Sequence, residues 1–74
     1  MTISAINARN QFQGNVKRIK RGDVVSEVEV DIGNGIITSI VSTSSVDDLG
    51  LKPGSQVIAL FKSTEVALAS FAPA

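Results

Sequence analysis

From Val24 to Ile32 the chain reads as its clearest strand, and from Glu27 onward it changes character at every residue. Val28, Val30 and Ile32 face one way, and Glu27, Glu29 and Asp31 face the other. A period of two is the signature of a strand with one side on a core and one in water. Such a strand needs neighbours, and the flanking sequence supplies them. Gly33-Asn34-Gly35 reads as a hairpin turn, because Gly and Asn accept positive φ, and it leads into a β-branched strand from Ile36 to Ser42. Upstream, Phe12, Gly14 and Val16 alternate with Gln11, Gln13 and Asn15 until the phase slips at Arg18-Ile19. The slip predicts a β-bulge in a long first strand, roughly residues 7–20, with a turn at Arg21-Gly22-Asp23.

After the third strand the pattern breaks. Ser44 or Ser45 is placed to N-cap a short helix, with Asp47 and Asp48 near its positive end and Gly50 just past its last turn. Lys52-Pro53-Gly54 reads as a turn. Two more strands are expected, Gln56 to Phe61 and Val66 to Phe71, joined through Lys62-Ser63-Thr64-Glu65, with a fraying tail at Ala72-Pro73-Ala74. The expected fold class is all-β: a five-stranded OB-like barrel with one short helix between strands 3 and 4. A partly open barrel leaves strand edges, and edges pair with other chains.

A chain of 74 residues is one domain, 1–74, with its core at about 3–71. Its single small core offsets the entropy of ordering only narrowly, and small proteins usually add disulfides, a metal or association. There is no Cys and no His. Association remains, so a homo-oligomer is expected. The apolar runs are far too short to span a membrane, and the opening MTISAINARN lacks the basic-then-apolar order of a secretion signal. A cytoplasmic location follows as the expectation.

The same inventory argues against an enzyme. No thiolate, no imidazole base and no zinc site of the usual N/S type can be built. Glu27, Glu29 and Asp31 read as a solvated strand face. Lys17, Arg18, Lys20 and Arg21 form a basic run, the feature that a single-stranded nucleic-acid binder would use. The chain is nevertheless neutral, with 7 Lys+Arg against 7 Asp+Glu, and it has no Trp or Tyr to stack bases. A small oxyanion suits the sequence better. It presents only acceptors, so its site needs only donors: Arg, Lys, hydroxyls, amides and main-chain N–H groups. Two segments are rich in these, Asn7-Ala8-Arg9-Asn10 and Lys62-Ser63-Thr64.

At these segments the chain resembles a known family. Residues 8–16, ARNQFQGNV, resemble the ARNxxxGxV opening of Mop/TOBE domains. Residues 37–42 and 45–54, ITSIVS and SVDDLGLKPG, look like their middle, and FKSTEV at 61–66 looks like their closing KSTxV. The resemblance runs from about residue 3 to 69, in order. A free-standing domain of this size is similar to the molbindins, small cytoplasmic molybdate-binding proteins. The resemblance implies an OB-like barrel assembled as a homohexamer, a trimer of dimers, holding molybdate or tungstate between subunits and using no cofactor. It assigns the main charge donor to Arg9. Lys62 and Ser63 would come from a different subunit, and Ser42 would add a hydroxyl. Asn7 stands where the family motif has Ser; its amide still donates, but it is longer and also carries an acceptor. Asn10 is expected to brace the strand rather than touch ligand.

The functional expectation is a molybdate/tungstate store or buffer. Two rival readings are an OB-like structural or interaction module without anion binding and a single-stranded nucleic-acid binder.

Overall fold

In the computed structural model, which describes residues 7–73, four strands form one antiparallel sheet. They are β1 (Asn10–Arg21), β2 (Val25–Asp31), β3 (Ile36–Ser42) and β4 (Gln56–Phe61), in the order β3-β2-β1-β4. A short helix, α1 (Thr43–Asp48), links β3 to β4, and a 3-10 turn spans Ser63–Glu65.

The strand β1 serves two partners in succession. Its first half pairs with β4, from Asn10↔Phe61 to Asn15↔Gln56. Its second half pairs with β2, from Asn15↔Asp31 to Arg21↔Ser26. The register shifts between Val16 and Arg18, one step earlier than the slip in the sequence suggested. The extra residue keeps both Val16 and Ile19 on the core side, opposite Val30 and Val28. It sets Arg18 and Lys20 across from Glu29 and Glu27 on the outer face.

The core is built from Val16, Val28, Val30 and Val46, with Ile19, Ile32, Val41, Leu51 and Val57 packed against it. The alternation of β2 is thus realised as expected, with Val28 and Val30 inward and its carboxylates outward. Gly14 marks a close approach. A Cβ there would lie 2.4 Å from the main-chain oxygen of Asp31 and 2.9 Å from a Val30 methyl. Only glycine lets β1 curl this tightly over β2.

Helix α1 begins earlier than its sequence suggests. Its N-cap is Ser42, whose hydroxyl accepts from the Ser45 N–H at 3.1 Å, rather than Ser44 or Ser45. Asp47 and Asp48 therefore fall in the last turn, at the negative end of the helix, not near its positive end. Arg21 compensates for Asp47 with a 2.9 Å ion pair. A buried hydroxyl pair also ties the helix to the sheet. Ser26 and Thr43 lie 2.7 Å apart, and Thr43 donates to the Gly22 carbonyl at 2.8 Å.

The expected fifth strand is not formed. Residues 66–73 carry no strand pairing, and their apolar side chains stand in solvent: Leu68 is 92% and Phe71 100% exposed. An extended segment becomes a strand only when docked on an edge that accepts its hydrogen bonds, and this segment is docked on none among the described residues.

Two outcomes follow. Gly14→Ala should lower the unfolding free energy by about 1–3 kcal/mol in a denaturant titration, because the added methyl meets main chain that cannot turn aside; wild-type stability would contradict the close approach. The hydrogen bond from Arg21 is the largest cause holding the Asp47 carboxyl below its ordinary range. Its contribution to stability is therefore present above the unfolded carboxylate value of about 4 and is lost as pH falls through the depressed folded value. The melting-temperature deficit of Asp47→Asn relative to wild type should accordingly be seen at pH 7 and shrink below about pH 4.

Candidate anion site

The pairing of Asn10 with Phe61 carries the next residues outward, Arg9 and Lys62, to the same end of the β1–β4 ladder. Two side-chain bonds stiffen this end. Asn10 donates its amide to the Phe61 carbonyl at 3.3 Å, tying the segment of Arg9 to that of Lys62. Gln11 donates to the Ala8 carbonyl at 3.0 Å, bracketing Arg9, and Ala8 itself is buried. The bracing role expected of Asn10 is the one it plays.

Arg9, Lys62, Ser63 and Asn7 are all exposed. Among the described residues the single ion pair is Arg21–Asp47, so neither Arg9 nor Lys62 is engaged by a carboxylate there. Asn7, Ala8, Arg9 and Gln11 line an open hollow of about 460 Å³. Two cationic groups at one end of a sheet, neither of them in an ion pair with a described residue, form a donor-rich surface suited to an anion.

Ser42 lies elsewhere. It pairs with Val25, beside the Arg21↔Ser26 end of β1. The length of β1, roughly 35–40 Å of strand, separates it from Arg9. Its hydroxyl serves as the helix cap and lies 2.7 Å from that of Ser45 and 3.1 Å from that of Ser44. Within one chain, therefore, Asn7, Arg9, Lys62 and Ser63 share an end of the sheet and Ser42 does not.

Most of the basic run is matched by acidic residues of the same chain. Arg18 and Lys20 face Glu29 and Glu27 across the ladder, and Arg21 reaches Asp47. Phe12 and Phe61 stack on each other, with centroids 5.8 Å apart, rather than standing as separate platforms for bases. Sequence reasoning missed a second hollow of about 260 Å³ over β1 and β4, lined by Gln13, Gly14, Asn15, Gln56, Val57 and Ile58. It holds no charged side chain, and its signal was only the run of amides on alternate residues of β1. No group of His, Cys, Asp and Glu able to hold a metal ion is found among the described residues.

The TOBE domain model matches residues 6–68. The chain belongs to the TOBE domain family. This TOBE chain is 46% identical over 63 residues to molybdenum-pterin-binding protein 3 of Clostridium pasteurianum, covering 84% of the chain and 93% of that relative. It superposes on a molybdate-binding protein from Sporomusa ovata with a TM-score of 0.85 at 33% identity, covering 89% of this chain and 98% of the other. It also superposes on the cytoplasmic molybdate-binding protein ModG, in a form with molybdate bound, with a TM-score of 0.76 at 42% identity. That match covers 80% of this chain and 43% of the other. The family resemblance read from ARN, the middle segment and KST is thereby established.

The Asn10 bracket is directly testable. Asn10→Ala should cost about 0.5–1.5 kcal/mol of stability and speed amide exchange at the Arg9–Gln11 and Phe61–Lys62 end of the ladder. Unchanged protection there would show that the bracket does not hold the two segments together.

Proposed function

We propose that this protein captures molybdate or tungstate reversibly between copies of itself, as a non-enzymatic cytoplasmic store or buffer. The observation that carries this reading is the convergence of Arg9 and Lys62 on one end of the β1–β4 ladder, with neither engaged by a described carboxylate. The relatives named for binding molybdate or molybdenum support the choice of anion.

One chain offers these groups on an open surface, and a dianion needs donors on several sides. A two-fold contact at this end supplies them. Because Arg9 and Lys62 share the end, such an axis sets Arg9 of each copy against Lys62 and Ser63 of the other and makes two equivalent sites. Asn7 adds an amide donor beside Arg9. Ser42, at the far end of the sheet, would reach an anion only from a further copy, which fits an assembly larger than a dimer; a trimer of dimers supplies one.

The unpaired segment 66–71 has a place in this assembly. The sheet ends in the open edges of β3 and β4, and a strand lying between them would close a five-stranded OB-like barrel over residues 1–74. Val66, Leu68 and Phe71 are the apolar side chains such a strand would bury on a partner or on its own sheet.

The chemistry of selection follows from a site dominated by donors. Molybdate is fully deprotonated near neutral pH and offers acceptors all round. Phosphate still carries a proton there, which neither Arg9 nor Lys62 can accept; a hydroxyl or the Asn7 amide oxygen would take it only by giving up a donor contact. Sulfate is discriminated by cavity size. Binding to the assembly but not to separated chains stabilises the assembly by mass action.

Calorimetric titration of the anion-free protein tests the reading. Arg9→Ala and Lys62→Ala should each weaken molybdate binding by about 1.5–3 kcal/mol, tenfold or more, since each removes a charged hydrogen-bond partner. Phosphate in excess should compete poorly. Unchanged affinity in both variants would refute the site.

A further inference from the structure

The turn that presents Lys62 and Ser63 is held by a residue outside the donor set. The Glu65 carboxylate accepts the main-chain N–H of Lys62 at 2.7 Å. The N–H of Glu65 returns a bond to the Lys62 carbonyl at 2.9 Å. These reciprocal bonds close the single 3-10 turn of Ser63–Glu65, with Lys62 as its N-cap. The carboxylate is thus directed at the main chain of Lys62, and the Lys62 ammonium is in no ion pair with a described residue. A carboxylate so close in sequence to Lys62 could have neutralised the ammonium; here it fixes the backbone and leaves the charged end of the side chain available.

Glu65 therefore acts on an incoming anion in two opposed ways. It lowers the cost of ordering Lys62 and Ser63 by holding their turn before the ligand arrives. It also places a negative charge three residues from Lys62, which repels a dianion. We infer that Glu65 is a positioning residue of the anion site whose carboxylate both clamps the Lys62–Ser63 turn and moderates affinity, keeping capture reversible. The inference rests on the anion site proposed above.

Gln and Ala separate the two effects. Glu65→Gln keeps an oxygen that accepts the Lys62 N–H and removes the charge; Glu65→Ala removes both. Titrated with sodium molybdate at low salt, Glu65→Gln should bind about two- to fivefold more tightly than wild type. Glu65→Ala should bind about threefold or more weakly than Glu65→Gln, which also lacks the charge, because the turn is no longer held. The advantage of Gln should shrink as sodium chloride is raised, whereas the deficit of Ala should persist. Unaltered circular dichroism of both variants would place the effects at the site, as expected for an exposed side chain. Glu65→Gln binding no more tightly than wild type at low salt, or Glu65→Ala binding as tightly as Glu65→Gln, would overturn the inference while leaving the site standing. Wild type that takes up no molybdate would overturn both.

Discussion

The register between β1 and β4 is the constraint on which the rest depends. By pairing Asn10 with Phe61 it brings two separated stretches, around Arg9 and around Lys62, to one place. Neither cation is in an ion pair with a described residue, so both are available to a counter-charge. The Asn10 bond to Phe61 and the Glu65 bond to Lys62 hold the main chain of both segments, so ordering is largely complete before a ligand arrives. The protein thus resembles a pre-formed half-site more than a flexible loop that folds around its ligand.

The same strand explains how so small a chain manages to fold and to bind. Because β1 lends one half to β4 and the other to β2, three strands share a single spine. The bulge after Val16 keeps Val16 and Ile19 both inward, and Gly14 permits the tight curl. The resulting core is four buried valines with a ring of half-buried neighbours. It has no room for an internal ligand. The proposed site on the rim, completed by another copy, would avoid hollowing it, and in that assembly the exposed apolar segment 66–71 would find cover.

Much of this was legible in the sequence because it rests on local patterns. The alternation of Val28, Val30 and Ile32 with acids gave β2 and its facing, and Ile36–Ser42 and Gln56–Phe61 are strands over the limits expected. The ARN and KST segments were legible as donor-rich, and the family they resemble is the one to which the chain belongs. What was illegible depended on partners distant in sequence. The sequence offered Ser44 and Ser45 as caps, but Ser42 takes the role because β3 delivers it in the extended conformation a cap needs. That moved Asp47 and Asp48 to the wrong end of the helix dipole, with Arg21 as the compensation for Asp47. Residues 66–71 have the composition of a strand, but strand formation needs an edge, and no pattern within a segment says whose edge it will meet. Which donors share a chain's end likewise depended on the β1–β4 register, which set Ser42 apart from the rest.

The central claim is that Arg9 and Lys62 of different copies hold one anion. Co-refolding of Arg9→Ala with Lys62→Ala measures it most directly. In a mixed pair one of the two sites lacks both groups, while the other receives Arg9 from one chain and Lys62 from the other. The account predicts that the mixture regains wild-type affinity at a fraction of its sites, although each variant alone binds weakly. A mixture that binds no better than its components, while forming mixed oligomers by native mass spectrometry, would contradict it.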